Sequence, residues 1–127
     1  QGEFVNYDGI SMNPKPHNAT VPLHIGGHSK RAARRAGELG DGFFPGKGNL
    51  PELIDVVRQT ATDAGRDATA IEITASHPGL FGSDPAGAVA EAESWGVHRL
   101  VIPAFLFAKQ PDAIDETLPL FMANLHS

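Results

Sequence analysis

The chain has 127 residues, 41% of them hydrophobic, and a formal net charge of −5. That length holds one domain, and the acidic balance argues against nucleic acid or an anionic membrane surface as partner. With no cysteine the chain has neither disulfides nor thiolate metal sites, a usage compatible with the cytoplasm.

The elements follow in chain order. Gly2 to Met12 alternates roughly in polarity around Asp8-Gly9. Asp-Gly is a strong hairpin signal, so two short strands are expected there. Asn13 to Thr20 is a Pro-rich connector, and residues 1–20 form a segment of their own before the regular domain of residues 21–127. The chain opens at Gln1, inside what reads as a strand, which is expected of a fragment or a processed product. No basic and apolar stretch marks the opening residues for secretion, so a secretory route is not expected. The longest apolar run, Leu100 to Ala108, is too short to span a bilayer and is broken by Pro103.

From Val21 a regular pattern begins. Val21 to Ile25 reads as a strand. Ser29 can cap a helix running to Leu39, with Ala32, Ala36 and Leu39 on one face, and Gly40 ends it. Asp41 to Pro45 is a second strand, with Asp41 structural and both Phe43 and Phe44 in the core. Asn49 caps a second helix with Pro51 in its first turn. Leu50, Leu53, Ile54, Val57, Ala61 and Ala64 form its buried stripe, and Gly65 stops it. Ile71 to Ser76 is a third strand. Asp84 and Pro85 open a third helix with Ala88, Val89, Ala92 and Trp95 inward, stopped by Gly96. Arg99 to Pro103 is a fourth strand. Pro111 and Asp112 open the last helix, with Ile114, Leu118, Phe121, Met122 and Leu125 inward and Pro119 kinking or splitting it.

Four βα units in succession imply parallel strands with right-handed crossovers, in an open doubly wound sheet or a barrel. The third strand favours the barrel. Ile71, Ile73 and Ala75 share one face, whereas Glu72, Thr74 and Ser76 share the other. An open parallel sheet buries both faces and reads apolar throughout, while polar side chains can line a barrel's inner mouth. The expected fold class is therefore α/β of the (β/α)₈ TIM-barrel type, as a half-barrel of four βα units preceded by a β-hairpin.

The chemistry concentrates in VPLHIGGHSKRAARRAGELGDG, Val21 to Gly42. Gly26 and Gly27 let backbone approach a ligand closely. The helix start behind them offers unpaired N–H groups and a positive dipole end, which suit a phosphate. Ser29 can donate to that phosphate or cap its own helix. His28 can donate to it or stand solvated in the turn. Arg31, with Arg34 and Arg35, offers a guanidinium fork or a solvated helix face, Arg31 being nearest the turn. His24 points into the barrel or sits as a satisfied core histidine. The i, i+4 spacing of His24 and His28 resembles a metal pair only on a helix, which the glycines interrupt, so no metal site is expected. Ser76 and His77 follow the third strand, the end where barrels place substrate contacts. His77 is an acid, base or substrate donor, or a plain loop histidine. Lys47 is an anion contact or a solvent lysine.

The combination YDGISMNPKP, PLHIGGHSKRAARRAGELGDGFFP, PELIDVVRQTATDAGRD and GVHRLVIP resembles the carboxyl-terminal half of bacterial luciferase-like monooxygenases, the actinobacterial subgroup with deazaflavin-dependent oxidoreductases above all. The resemblance implies a (β/α)₈ barrel and an enzyme that uses reduced flavin mononucleotide (FMN) or a deazaflavin coenzyme of the F-420 type on a small-molecule substrate. It implies a phosphate cradle matching Gly26, Gly27, His28 and Ser29, with Arg31 adjacent. It also implies that units one to four lie outside this chain together with the usual catalytic groups, so that the exposed strand edges await the missing half-barrel or a second copy. Two other readings are an isomerase or lyase that grips a substrate phosphate in the same turn, and a non-catalytic half-barrel assembly module.

Overall fold

The computed structural model describes residues 2–106, 108 and 110–125. Four strands, β1 (His24–Gly26), β2 (Gly42–Phe44), β3 (Glu72–Ala75) and β4 (Arg99–Leu100), alternate with helices α1 (Lys30–Leu39), α2 (Leu50–Asp63), α3 (Pro85–Ser94) and α4 (Ile114–Asn124). All neighbouring strands pair in parallel, in the order β1-β2-β3-β4. The order follows the chain without the reversal that marks a doubly wound sheet. It is the order of consecutive barrel strands.

The helix boundaries follow local chemistry. Ser29 caps α1 by accepting from the Ala32 N–H at 3.2 Å, and the Gly40 N–H returns to the Ala36 carbonyl. Asn49 and Asp84 cap α2 and α3, each with a proline in the first turn. Gly65 and Gly96 follow α2 and α3 at φ of 69° and 81°, a backbone that favours glycine.

One face of the sheet meets α1 and α2. Phe43, Ile71, Ile73 and Ala75 are buried there with Ala33, Ala36, Leu53, Ile54, Val57 and Ala61. The two helices meet closely at Gly37, where a Cβ would lie 2.6 Å from the Val57 carbonyl oxygen. Arg66 closes the end of α1, donating at 2.6 Å to the carbonyls of both Gly37 and Gly40. A guanidinium on last-turn carbonyls is favoured by the helix dipole.

Several expectations are corrected. Among the described residues no strand precedes His24: the hairpin expected over Gly2 to Met12 is absent, and every described residue from Gly2 to His24 is exposed. Asp8 does bond the Gly9 N–H at 2.8 Å in a local turn. An isolated two-stranded ribbon is marginal without a face to pack on. The strands are shorter than the apolar runs because a ladder needs a neighbour at every position, and β1 and β4 are the edges. Phe44 is 39% exposed although Phe43 is buried, because alternate residues point to opposite faces and Phe44 lies on the face away from α1 and α2. Leu39 and Ala64 are exposed at the ends of their helices. None of the inward residues expected in α4 is buried, and Leu118 and Met122 are exposed. Pro119 lies inside α4 without splitting it.

Candidate functional site

Three connections leave the carboxyl ends of β1, β2 and β3. The first is Gly26 to Ser29. The Gly27 N–H donates to the Phe44 carbonyl at 3.3 Å, tying the turn to the end of β2. Gly27 has φ of 127°, and a Cβ there would lie 2.9 Å from the Ala32 Cβ, whereas Gly26 faces open space. Glycine is thus required at the second position by both backbone and space. Ser29 serves its helix, yet an oxygen that accepts from Ala32 keeps its own proton to donate. The backbone N–H groups of His28, Ser29, Lys30 and Arg31 have no partner among the described residues. They sit where an α-helix leaves donors unpaired and its dipole is positive. His28 and Arg31 are exposed. Lys30 is engaged by Glu52 in the first turn of α2, so the two helix starts are linked beside the turn.

The second connection is Pro45 to Asn49. Gly48 has φ of 104° and stands against the His28 carbonyl, so the first two connections touch. Lys47 between the glycines is exposed. A small pocket lies here, lined by Pro45, Lys47, Gly48, Leu50 and Ser76.

The third connection carries His77. Its Nδ1 accepts from the Gly79 N–H at 3.1 Å, and its Nε2 lies 3.2 Å from a Glu91 carboxylate oxygen on α3. Its ring lies 5.4 Å from that of Trp95. The neutral tautomer with a proton on Nε2 satisfies both contacts. His77 therefore holds the connection to α3, and must release Gly79 or Glu91 before either nitrogen can act on a substrate.

Beneath these connections, the sheet face away from α1 and α2 carries polar side chains beside Phe44. His24 leans over Gly42, its register partner. Glu72 accepts from Arg99 at 3.0 Å and from the Thr74 hydroxyl at 3.3 Å. The alternation of Ile71 to Ser76 pointed to this face, but the Arg99 partner lies on another strand and left no sequence signal. The same holds for His98, whose Nδ1 accepts from the Ile73 N–H at 3.0 Å, and for Arg66. The structure thus brings Gly26, Gly27, His28 and Ser29 together with the Gly48 loop. His77 stands on the neighbouring connection, and Arg31 is the second residue of α1. Among the described residues no group of three or more His, Cys, Asp or Glu side chains gathers to hold a metal ion, and no helix is long and apolar enough to cross a membrane. The arrangement can bind an anion through backbone donors.

Comparison with known proteins adds four findings. A family model described as luciferase-like monooxygenase matches residues 1–122. The F420-dependent glucose-6-phosphate dehydrogenase of Mycolicibacterium smegmatis is 30% identical over 124 residues, covering 94% of this chain and 35% of that protein. The phthiodiolone/phenolphthiodiolone dimycocerosates ketoreductase of a Mycobacterium species is 34% identical over 82 residues, covering 55% of this chain and 22% of that one. Among solved structures, the coenzyme F420 dependent tetrahydromethanopterin reductase of Methanopyrus kandleri matches with a TM-score of 0.41 and 14% identity, over 84% of this chain and 34% of that one. The chain spans about a third of the length of the glucose-6-phosphate dehydrogenases it matches.

Proposed function

This chain belongs to the luciferase-like monooxygenase family, and from that premise we propose that it is the carboxyl-terminal half-barrel of a deazaflavin-dependent oxidoreductase. Residues 21–127 would supply the cofactor's phosphate anchor and part of the barrel mouth. The rest of the barrel would cover the exposed strand edges and carry the remaining catalytic groups. A deazaflavin is preferred to FMN because the matched dehydrogenases are named as F420-dependent. Within this reading the location is cytoplasmic.

The observation that carries the proposal is the free N–H row from His28 to Arg31 behind a glycine that no other residue can replace without strain. A phosphate fits that cradle: open space at Gly26, unpaired donors, a serine hydroxyl with a proton to give, and Arg31 in the first turn of α1. When bound, the deazaflavin ring would supply the hydride chemistry. The chain's part is to bind and orient. Ser29 and the backbone donors would hold the phosphate, Gly27 would keep the approach open, and His77 would wall the mouth and contact the small-molecule substrate only after leaving Gly79 or Glu91.

The test is the affinity of the full-length protein carrying this chain for the deazaflavin, measured by fluorescence titration with FMN in parallel. Gly27→Asp sets a side chain against Ala32 at a φ that favours glycine, which displaces the N–H row, and is expected to weaken binding by about tenfold or more, the loss of one or more charge-assisted hydrogen bonds. Unchanged affinity in Gly27→Asp would refute the anchor assignment. Tighter binding of FMN would shift the cofactor to the flavin.

A further inference from the structure

A cleft of 350 Å³ opens beside the barrel mouth, between the start of α2 and the connection from β3 to α3. Its volume lies in the range of small-molecule sites, about 300 to 1,000 Å³. Leu50, Pro51, Pro78 and the Trp95 indole form apolar walls. His77 completes them with a ring tilted 35° to the indole. Both nitrogens of that ring are taken by Gly79 and Glu91, so it presents a flat surface. Among the described residues the lining contains no carboxylate, ammonium or guanidinium group. The larger groove between α1 and α2, by contrast, is lined by Arg34, Glu38 and Asp63.

Two polar groups stand in the lining. The Asn49 Oδ1 is committed to the Glu52 N–H, which leaves its amide N–H₂ to donate. Ser76 is exposed and offers a hydroxyl. An apolar cleft with an aromatic wall, donors among its polar groups and no formal charge selects a neutral ring compound with a hydrogen-bond acceptor. A charged ligand would lose hydration there without a counter-charge to replace it.

We propose that this cleft is a ligand subsite for a neutral, ring-bearing small molecule with a carbonyl or hydroxyl oxygen, the ring lying against Trp95 and His77 and the oxygen facing Asn49 and Ser76. It is separate from the phosphate anchor, since no residue of the glycine turn lines it, and it shares His77 with the mouth described above.

Trp95 is the single tryptophan of the chain, and its indole N–H resonance reports on the cleft. The experiment is a ¹H–¹⁵N titration of the full-length protein carrying this chain, with the Trp95 resonance assigned by its loss in Trp95→Phe, using acetophenone and then benzoate, which keeps the ring but adds a charge. A saturable shift of the Trp95 indole with acetophenone is expected, and binding of benzoate at least about fivefold weaker. Leu50→Asp puts a carboxylate into the wall, and the start of a helix tolerates it. That variant should also lose acetophenone affinity by about fivefold or more. The absence of a saturable shift, equal binding of benzoate, or unchanged affinity in a folded Leu50→Asp variant overturns the proposal. If that variant does not fold, the acetophenone and benzoate comparison on the unaltered protein decides.

Discussion

Leu23 and Asp41 are joined through both backbone and side chain. The Leu23 N–H donates to Asp41 Oδ2 at 2.8 Å, while the Leu23 carbonyl accepts from the Asp41 N–H at 2.8 Å and from the Gly42 N–H at 3.2 Å. The carboxylate takes the place of a ladder acceptor just before β1 begins. His98 repeats the device before β4, with its Nδ1 accepting from the Ile73 N–H and its own N–H donating to the Ile73 carbonyl. Side chains thus extend the sheet where the strands run out.

Asp41→Ala should loosen the entry to β1. The pair is exposed, so water recovers part of the loss, and a destabilisation of about 1 kcal/mol is expected. Urea unfolding of the variant checks the size. Amide exchange at Leu23 checks the location, and protection there equal to the parent's would contradict the assigned role.

Gly37→Ala sets two effects against each other. Alanine favours a helix interior by about 1 kcal/mol over glycine. The new methyl, however, would meet the Val57 carbonyl at 2.6 Å and the Thr60 Cβ at 2.8 Å, and overpacking typically costs about 1–3 kcal/mol. The close backbone neighbour cannot rotate away, so the clash should prevail and the thermal midpoint should fall. A rise would mean that α1 and α2 slide apart easily.

Arg66→Ala removes the donors that reach the carbonyls of Ala36, Gly37 and Gly40. A loss of about 1–3 kcal/mol is expected, with faster amide exchange in the last turn of α1. Arg66→Lys should restore little, because one ammonium cannot reproduce the planar fork.

Asp67 titrates below its ordinary value of 3.8, first through the Thr69 hydroxyl and then through the Thr69 N–H. Both bonds converge on Oδ1, at 2.7 and 2.8 Å. A carboxyl whose folded value is lowered stabilises fully above the unfolded value, and that contribution fades as pH falls through the folded one. Thr69→Val should therefore raise the Asp67 titration midpoint toward 3.8, as read from the carboxyl carbon signal by NMR. An unmoved midpoint would show that the hydroxyl is not the cause.

The sequence by itself determined the local structure. Ser29, Asn49 and Asp84 announce helix starts, Gly65 and Gly96 announce stops, and the alternation of Ile71 to Ser76 assigns a polar and an apolar face, because caps, turns and alternation act within a few residues. The glycine turn was legible for the same reason: Gly26, Gly27 and Ser29 are adjacent in the chain. The tertiary structure decided what depends on residues far apart. It left Gly2 to Met12 without strands, since a hairpin needs a face to cover, and it exposed Phe44 and the apolar side of α4. It also revealed Arg66 on α1, Arg99 on Glu72 and His77 between Gly79 and Glu91. Those partnerships depend on where the crossovers bring distant segments together, and residue spacing carries no record of that.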